Sequence, residues 1–66
     1  MNDKGKLKVL IDHWKEHNTE HARTYSDWAD RMKAEGIEGA SSILADIVAS
    51  TEQLNDKLES LKRALA

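Results

Sequence analysis

Gly36-Ile37-Glu38-Gly39 is the stretch that decides the fold, because it is the only glycine-rich segment after residue 5. Gly36 suits the left-handed backbone position that lies just past the end of a helix. Ile37 then sits where the Schellman motif places an apolar contact back to Met32. The sequence therefore predicts a first helix over about residues 4–35, a turn at 36–39, and a second helix over about residues 38–65.

Both predicted helices carry a seam of mostly apolar residues at alternating spacings of three and four, the heptad pattern of a coiled coil. The seam of the first helix consists of Leu7, Ile11, Trp14, Asn18, His21, Tyr25, Trp28 and Met32. The seam of the second consists of Ala40, Leu44, Ile47, Thr51, Leu54, Leu58, Leu61 and Leu65. Folding the chain at Gly36 pairs the two seams layer by layer, from Met32 opposite Ala40 to Leu7 opposite Leu65. The pattern predicts an all-α antiparallel two-helix hairpin, coiled-coil-like, as a single domain over residues 1–66.

A lone hairpin of 66 residues buries little apolar surface. Chains of this size usually need a disulfide, a metal or a partner to be stable, and this one has no cysteine. Leu10, Ile43 and Val48 flank the seams and would face water in a monomer. Two hairpins packed about a two-fold axis would form a four-helix bundle and cover them. We therefore expect a homodimer or a higher even oligomer.

Three polar residues, Asn18, His21 and Thr51, interrupt the seams in adjacent layers at mid-length. Burying each of them unpaired would cost roughly 1–3 kcal/mol. They could satisfy one another, through a bond between the Thr51 hydroxyl and His21 and a bond from Asn18 to His21 or to its symmetry mate. One interpretation is a polar core layer that fixes helix register and oligomeric state, within a purely structural or protein-interaction module.

A second interpretation is a transition-metal site, because His13, His17 and His21 follow one another at a spacing of four. On a helix this spacing places them on one side, with a drift of ~40° per step. Histidine pairs at this spacing chelate zinc in protease helices, and two such pairs could converge in a two-fold dimer. Glu20 lies on the same side as His13 and His17 and could supply an oxygen ligand. We expect His17 and His21 to be the first-choice ligands, and this donor set suits nickel, cobalt, zinc or iron.

Other classes of function are disfavoured by composition and by the lack of suitable motifs. We expect no enzyme, because the sequence has no nucleophile–base pair and no phosphate-binding loop. A net charge of −2 disfavours a nucleic-acid binder. No apolar run approaches the ~20 residues of a membrane span, and no signal-peptide hydrophobic region follows the first residues. We expect a cytoplasmic protein, and the sequence indicates no particular partner protein.

The motif His13-Trp14-x-x-His17-Asn18-x-x-His21-Ala22, followed by Tyr25-x-x-Trp28-Ala29, also carries a resemblance. It resembles small uncharacterised helical proteins and C-terminal domains of anaerobic bacteria and methanogens. The resemblance covers most of the first helix and, less specifically, the second. It implies a helical hairpin, and it draws attention to the histidines without implying a ligand.

Overall fold

The computed structural model describes residues 2–66, which form two antiparallel helices. Helix α1 spans Asp3–Ala34 and helix α2 spans Glu38–Ala64, so both lie close to their predicted bounds. The Asn2 side chain caps α1, since its Oδ1 accepts a hydrogen bond of 3.0 Å from the Gly5 N–H. The predicted all-α hairpin is confirmed for the described residues. Met1, which the predicted domain also includes, lies outside them.

The turn between the helices has the predicted backbone. Gly36 has a φ of +80°, in the left-handed region that favours glycine. The Ile37 N–H donates to the Met32 carbonyl at 2.9 Å, and the Gly36 N–H donates to the Lys33 carbonyl at 3.0 Å. These are the two hydrogen bonds of a Schellman motif. They satisfy two carbonyls at the end of α1 and reverse the chain so that α2 runs back along it.

Hydrogen bonds between the helices fix their register along the whole hairpin. Near the turn, the Ser41 hydroxyl donates to the Ala29 carbonyl at 2.8 Å. At mid-length the Asn18 amide donates to Asn55 Oδ1 at 3.0 Å. Near the open end, Lys62 Nζ lies 2.7 Å from Asp12 Oδ1. The predicted pairing would put Ala29 opposite residue 43 and Asp12 opposite residue 60, so the register agrees to within two residues.

The helices are rotated about their axes relative to the prediction. At every second position of each predicted seam, the residue that lies in the inter-helix contact is therefore the next one along the chain. On α1 the least exposed residues in and around the contact include Ile11, Lys15, Asn18, Ala22, Tyr25, Ala29 and Met32. On α2 and at the residue after its end they include Ser41, Leu44, Val48, Thr51, Asn55, Leu58, Lys62 and Leu65. Alanine and serine suit a narrow contact between only two helices, whereas an indole does not, and lysine can lay its alkyl stem there while its ammonium reaches water. Among the described residues only Ile11 and Ala29 are buried, and of these only Ile11 is completely inaccessible.

The residues displaced by this rotation lie together on one side of the hairpin, which we call the open face. It consists of Trp14, His21 and Trp28 on α1 and Ile47, Leu54 and Leu61 on α2. On both helices these residues directly precede residues of the inter-helix contact, and in an antiparallel pair such rows lie on the same side. The five apolar members are 39–47% exposed. The hairpin thus leaves much of its large apolar surface uncovered.

The other side of the hairpin is closed by polar groups. Lys15 forms an ion pair with Glu59, and Asn55 Nδ2 donates to Thr19 Oγ1 at 3.2 Å. Of the three residues expected to face water, Leu10 and Ile43 are 44% and 63% exposed. The prediction for Val48 was wrong, because the rotation of α2 brings it partly into the contact. The hairpin therefore has two unlike sides, one polar and bridged, the other apolar and open.

Candidate functional site

The three histidines form a ladder that continues into Tyr25. Ring centroids lie 4.7 Å apart for His13 and His17, and 6.2 Å apart for His17 and His21. The Tyr25 ring stacks on His21 at 6.1 Å with an angle of 19° between the ring planes. Because each step of four residues turns by ~40°, the ladder winds around α1. It begins at exposed His13 and ends at half-buried Tyr25 beside α2.

The ladder forms one wall of an open groove along the hairpin. The groove has a volume of about 550 Å³. Its lining combines imidazole, indole and amide groups of α1 with two leucines of α2: His13, Trp14, His17, Asn18, His21, Leu54 and Leu58. Trp14, His21 and Leu54 belong to the open face, so the groove lies on the apolar side of the hairpin. The predicted histidines are therefore brought together beside two exposed apolar side chains of the open face, Trp14 and Leu54.

A single chain offers two imidazoles at a time to a metal ion. In residues 2–66, no group of three or more histidine, cysteine, aspartate or glutamate side chains comes together around one point. With metal–nitrogen bonds of ~2.1 Å and a tetrahedral angle, two imidazole centroids lie roughly 5 Å apart. The 4.7 Å between His13 and His17 fits this value, and the 6.2 Å between His17 and His21 requires a small side-chain rotation.

Glu20, the fourth predicted ligand, lies exposed on α1. Its backbone carbonyl accepts a hydrogen bond of 3.3 Å from the Thr24 hydroxyl. The groove lining does not include Glu20. The structure thus gathers the three histidines along the groove, while the glutamate remains on the outer surface of α1.

The polar layer at mid-length has different members from those expected. Thr51 donates its hydroxyl proton to the Ile47 carbonyl at 2.9 Å, and His21 is exposed. Within residues 2–66 the predicted bond between His21 and Thr51 is not formed. Asn18 is half-buried, as a layer member should be, but its partner is Asn55. The physical reason is the rotation of both helices, which turns His21 outward and brings Asn55 inward.

Asn55 is the residue that the sequence analysis missed. Its Nδ2 donates to the Lys15 carbonyl at 3.3 Å, in addition to its bonds with Asn18 and Thr19. The signal that could have found it is a second heptad row on α2, one residue later than the predicted one: Ser41, Val48, Asn55 and Lys62. This row is small or polar, and it therefore looked like a surface row beside the leucines.

Two groups on the polar side have shifted pKa values. The pKa of Glu59 is lowered, first because its carboxylate accepts a hydrogen bond from the Lys15 ammonium and then by the charge of that ammonium. The pKa of Lys62 is raised, first because it donates a hydrogen bond to Asp12. Both pairs bridge α1 and α2 on the side opposite the open face. Their chemistry is that of structural ion pairs, and they lie outside the groove.

In the described part of the chain, neither helix is both long and apolar enough to cross a membrane.

Comparison with known proteins places the hairpin in a family. The model of a family described as a domain of unknown function (DUF8180) matches residues 7–65. The chain belongs to the DUF8180 family. The DUF8180 match spans both helices, the turn and every residue that lines the groove. No curated protein and no solved structure matches the chain.

Proposed function

We propose that this protein is a small, non-enzymatic helical binding module that works as a homodimer. In this proposal the open faces of two hairpins pack together and form a four-helix bundle. The observation that carries it is the open face itself, whose five large apolar side chains are 39–47% exposed at heptad spacing on both helices. Monomeric proteins rarely leave such a continuous apolar surface in water.

The dimensions of the hairpin suit a partner that covers the whole of its broad side, such as a second hairpin. Its accessible surface is 4930 Å², whereas a compact monomer of the same mass would expose roughly 4,200 Å². The Cα atoms extend over 53 × 15 × 10 Å. The broad side therefore has a projected area of roughly 800 Å², which is of the same order as the accessible surface that one protein buries in a standard-sized interface.

A second copy of the chain suits the open face better than an unrelated protein. Both helices contribute one apolar row each to the face, so two copies can pack helix against helix along their whole length. If they pack antiparallel about the middle of α1, Trp28 comes opposite the partner's Leu10. Both residues are more than 40% exposed in the single hairpin. The polar side needs no cover, because ion pairs and amide bonds already bridge it.

Sedimentation velocity tests the dimer directly. We expect a mass of about twice 7.5 kDa at micromolar concentration. Leu54→Glu places a charge on the open face and should shift the protein toward monomer. Gln53→Glu is the matched control, since it adds the same charge at the neighbouring exposed position and should leave the mass unchanged. A chain that sediments as a cooperatively folded monomer would overturn the proposal.

As the ligand of the module we propose a transition metal ion held by the stretch from His13 through His17 to His21. Nickel, cobalt, zinc and iron all suit imidazole, and Glu20 would supply an oxygen donor at the outer end. The groove supports this, because the three imidazoles line it on the side where the partner would pack. Elemental analysis of protein purified without a histidine tag provides the first check.

The alternative is a purely structural or protein-interaction module. The hydrogen bonds of Asn18 and Asn55 favour it, because single polar residues between helices fix register and oligomeric state in coiled coils. Under this alternative, purified protein carries little metal and shows no titratable binding. The expected cytoplasmic location and the expected lack of nucleic-acid binding stay predictions.

A further inference from the structure

We propose that His17 and His21 of two copies together form one transition-metal site at the centre of the dimer. The inference rests on the proposed homodimer, and it names both the ligand residues and the copy from which each comes. It selects one pair from the ladder of three histidines. It also predicts a stoichiometry of one metal ion per two chains, which a site within one chain would not give.

The single chain holds only part of a metal site. No third potential ligand joins any histidine pair in residues 2–66. Two imidazoles are fewer than the three or four protein ligands that zinc-type sites use. A second identical pair would complete a tetrahedral set of four nitrogens. In this proposal the remaining ligands come from a second copy, which supplies the same chemistry.

The position of the pair along the hairpin favours this arrangement. Helix α1 spans Asp3–Ala34, so its midpoint falls between Asn18 and Thr19. At ~1.5 Å rise per residue, His17 lies roughly 2 Å on one side of this point and His21 roughly 4 Å on the other. A two-fold axis can pass between the two copies of α1, perpendicular to both helices and level with their midpoints. It gives two antiparallel hairpins with full overlap. It places His17 of one copy near the partner's His21, and the reverse.

The direction of the ladder selects His17 and His21 rather than His13. His21 belongs to the open face, and His17 borders it one turn away at 6.2 Å. His13 lies a further ~40° around the helix, toward the outer surface. When a second copy covers the open face, His21 is enclosed first and His17 at its margin. His13 lines the outer end of the groove and remains in contact with water, so its loss should affect binding least.

The surroundings of the pair would support metal binding once they are covered. The Tyr25 ring lies stacked beside the His21 ring, and Trp14 and Leu54 line the groove next to them. Excluding water there would strengthen the bonds between the ion and its nitrogen ligands.

Cobalt(II) is the probe that tests the site, because its visible absorption reports tetrahedral coordination. Tag-free protein titrated with Co²⁺ at neutral pH should develop this absorption and saturate at one ion per two chains. His17→Ala and His21→Ala should each weaken Co²⁺ binding more than about tenfold. His13→Ala discriminates between the histidine pairs, and it should weaken Co²⁺ binding less than either of these variants does. Ser26→Ala changes an exposed side chain of α1 outside the groove lining, and as the matched control it should bind as the wild type does. Since all three histidines are exposed in the single hairpin, circular dichroism should show all three histidine variants helical.

The outcomes separate this inference from the proposed dimer. Sedimentation of the metal-free protein tests the dimer alone. If the protein is dimeric but Co²⁺ gives no tetrahedral absorption, the metal site is wrong and the dimer stands. Saturation at one ion per chain, or loss of binding in His13→Ala and not in His21→Ala, would assign the ion to His13 and His17 and overturn the shared site. A protein that stays monomeric with and without Co²⁺ overturns both.

Discussion

Asn55 makes more hydrogen bonds across the hairpin than any other described side chain. It accepts from Asn18 and donates to the Lys15 carbonyl and to Thr19. A slip of one helix past the other would leave these part-buried amides unpaired, at a cost of about 1–3 kcal/mol for each group. One side chain on α2 therefore sets the register that aligns the two rows of the open face.

Glu59 gives the fold a dependence on acid. Its pKa lies below the ordinary value of 4.5, mainly because its carboxylate accepts a hydrogen bond from Lys15. The unfolded chain therefore binds this proton more tightly than the folded one. The stability that the ion pair contributes is present above about pH 4.5 and is lost as pH falls through the lowered pKa. We expect the melting temperature to fall in this range, and to fall less steeply in Glu59→Gln.

Glu52→Gln is the control for this measurement. Glu52 is exposed on α2, whereas Glu59 is half-buried, and Glu52 takes part in no ion pair among the described residues. Melting temperatures from circular dichroism at a series of pH values below 5 would compare the three proteins. If Glu59→Gln loses stability with acid as steeply as Glu52→Gln does, the Lys15 pair makes no contribution. Because the Lys15 and Glu59 side chains remain 30% and 40% exposed, solvent screens the pair and the difference should be a few degrees at most.

At the scale of elements, replacing Gly36 at the turn measures how strongly one glycine stabilises the hairpin. Gly36 has a φ of +80°, whereas Gly39 lies in the first turn of α2. A Cβ at either position would meet no atom within 4 Å. Gly36→Ala should therefore cost roughly 1–2 kcal/mol through backbone strain alone. Gly39→Ala should leave stability unchanged or raise it by up to ~1 kcal/mol, because alanine favours the helix.

The two alanine variants control for each other, since they make the same chemical change three residues apart. Thermal unfolding followed by circular dichroism measures both effects. For a hairpin of this size, each 1 kcal/mol corresponds to roughly 4–8 °C in melting temperature. Equal melting temperatures for the two variants would mean that the left-handed turn at Gly36 carries no strain, and that the Schellman motif does not determine where α1 ends.

The existence of both helices and of the turn could be predicted because strong local signals fix them. Heptad spacing continues through each helix, and Gly36 is followed by Ile37 as the Schellman motif requires. The rotation of the helices could not be predicted in the same way. Two adjacent rows, one with Trp14 and one with Lys15, both have heptad spacing. Burial preference selects tryptophan, but a contact between only two helices has little room for an indole.

Only part of the candidate site could be predicted from the sequence, because the rest of it depends on the rotation of the helices. The spacing of four placed the histidines on one side of α1, and the structure confirms that they form a ladder. Whether His21 faces α2 or the open face depends on the rotation of α1, which the spacing leaves undetermined. The partnership of Thr51 with His21 depended on that rotation and was wrong for the described chain.

At the scale of the whole molecule, the melting temperature should depend on protein concentration if two hairpins fold as one unit. Unfolding a dimer releases two chains, so tenfold dilution lowers the free energy of unfolding by about 1.4 kcal/mol. For two chains of 66 residues, average unfolding entropies convert this into a fall of roughly 5 °C in melting temperature. We expect this fall for each tenfold dilution. Trp14 and Trp28, 41% and 46% exposed in one hairpin, should emit at shorter wavelength in the dimer than in the unfolded chain.

The Leu54→Glu variant separates this effect from the intrinsic stability of one hairpin. Its melting temperature should be lower than that of the wild type and should not change with dilution, because it unfolds as a monomer. Gln53→Glu should show the wild-type dependence. The two variants should differ because the two sides of the hairpin are unlike. The polar side holds α1 and α2 together in each chain, whereas the open face can contribute its apolar surface only to a partner. A wild-type melting temperature that is constant over a hundredfold range of concentration would show that one hairpin folds alone and that its open face stays in water.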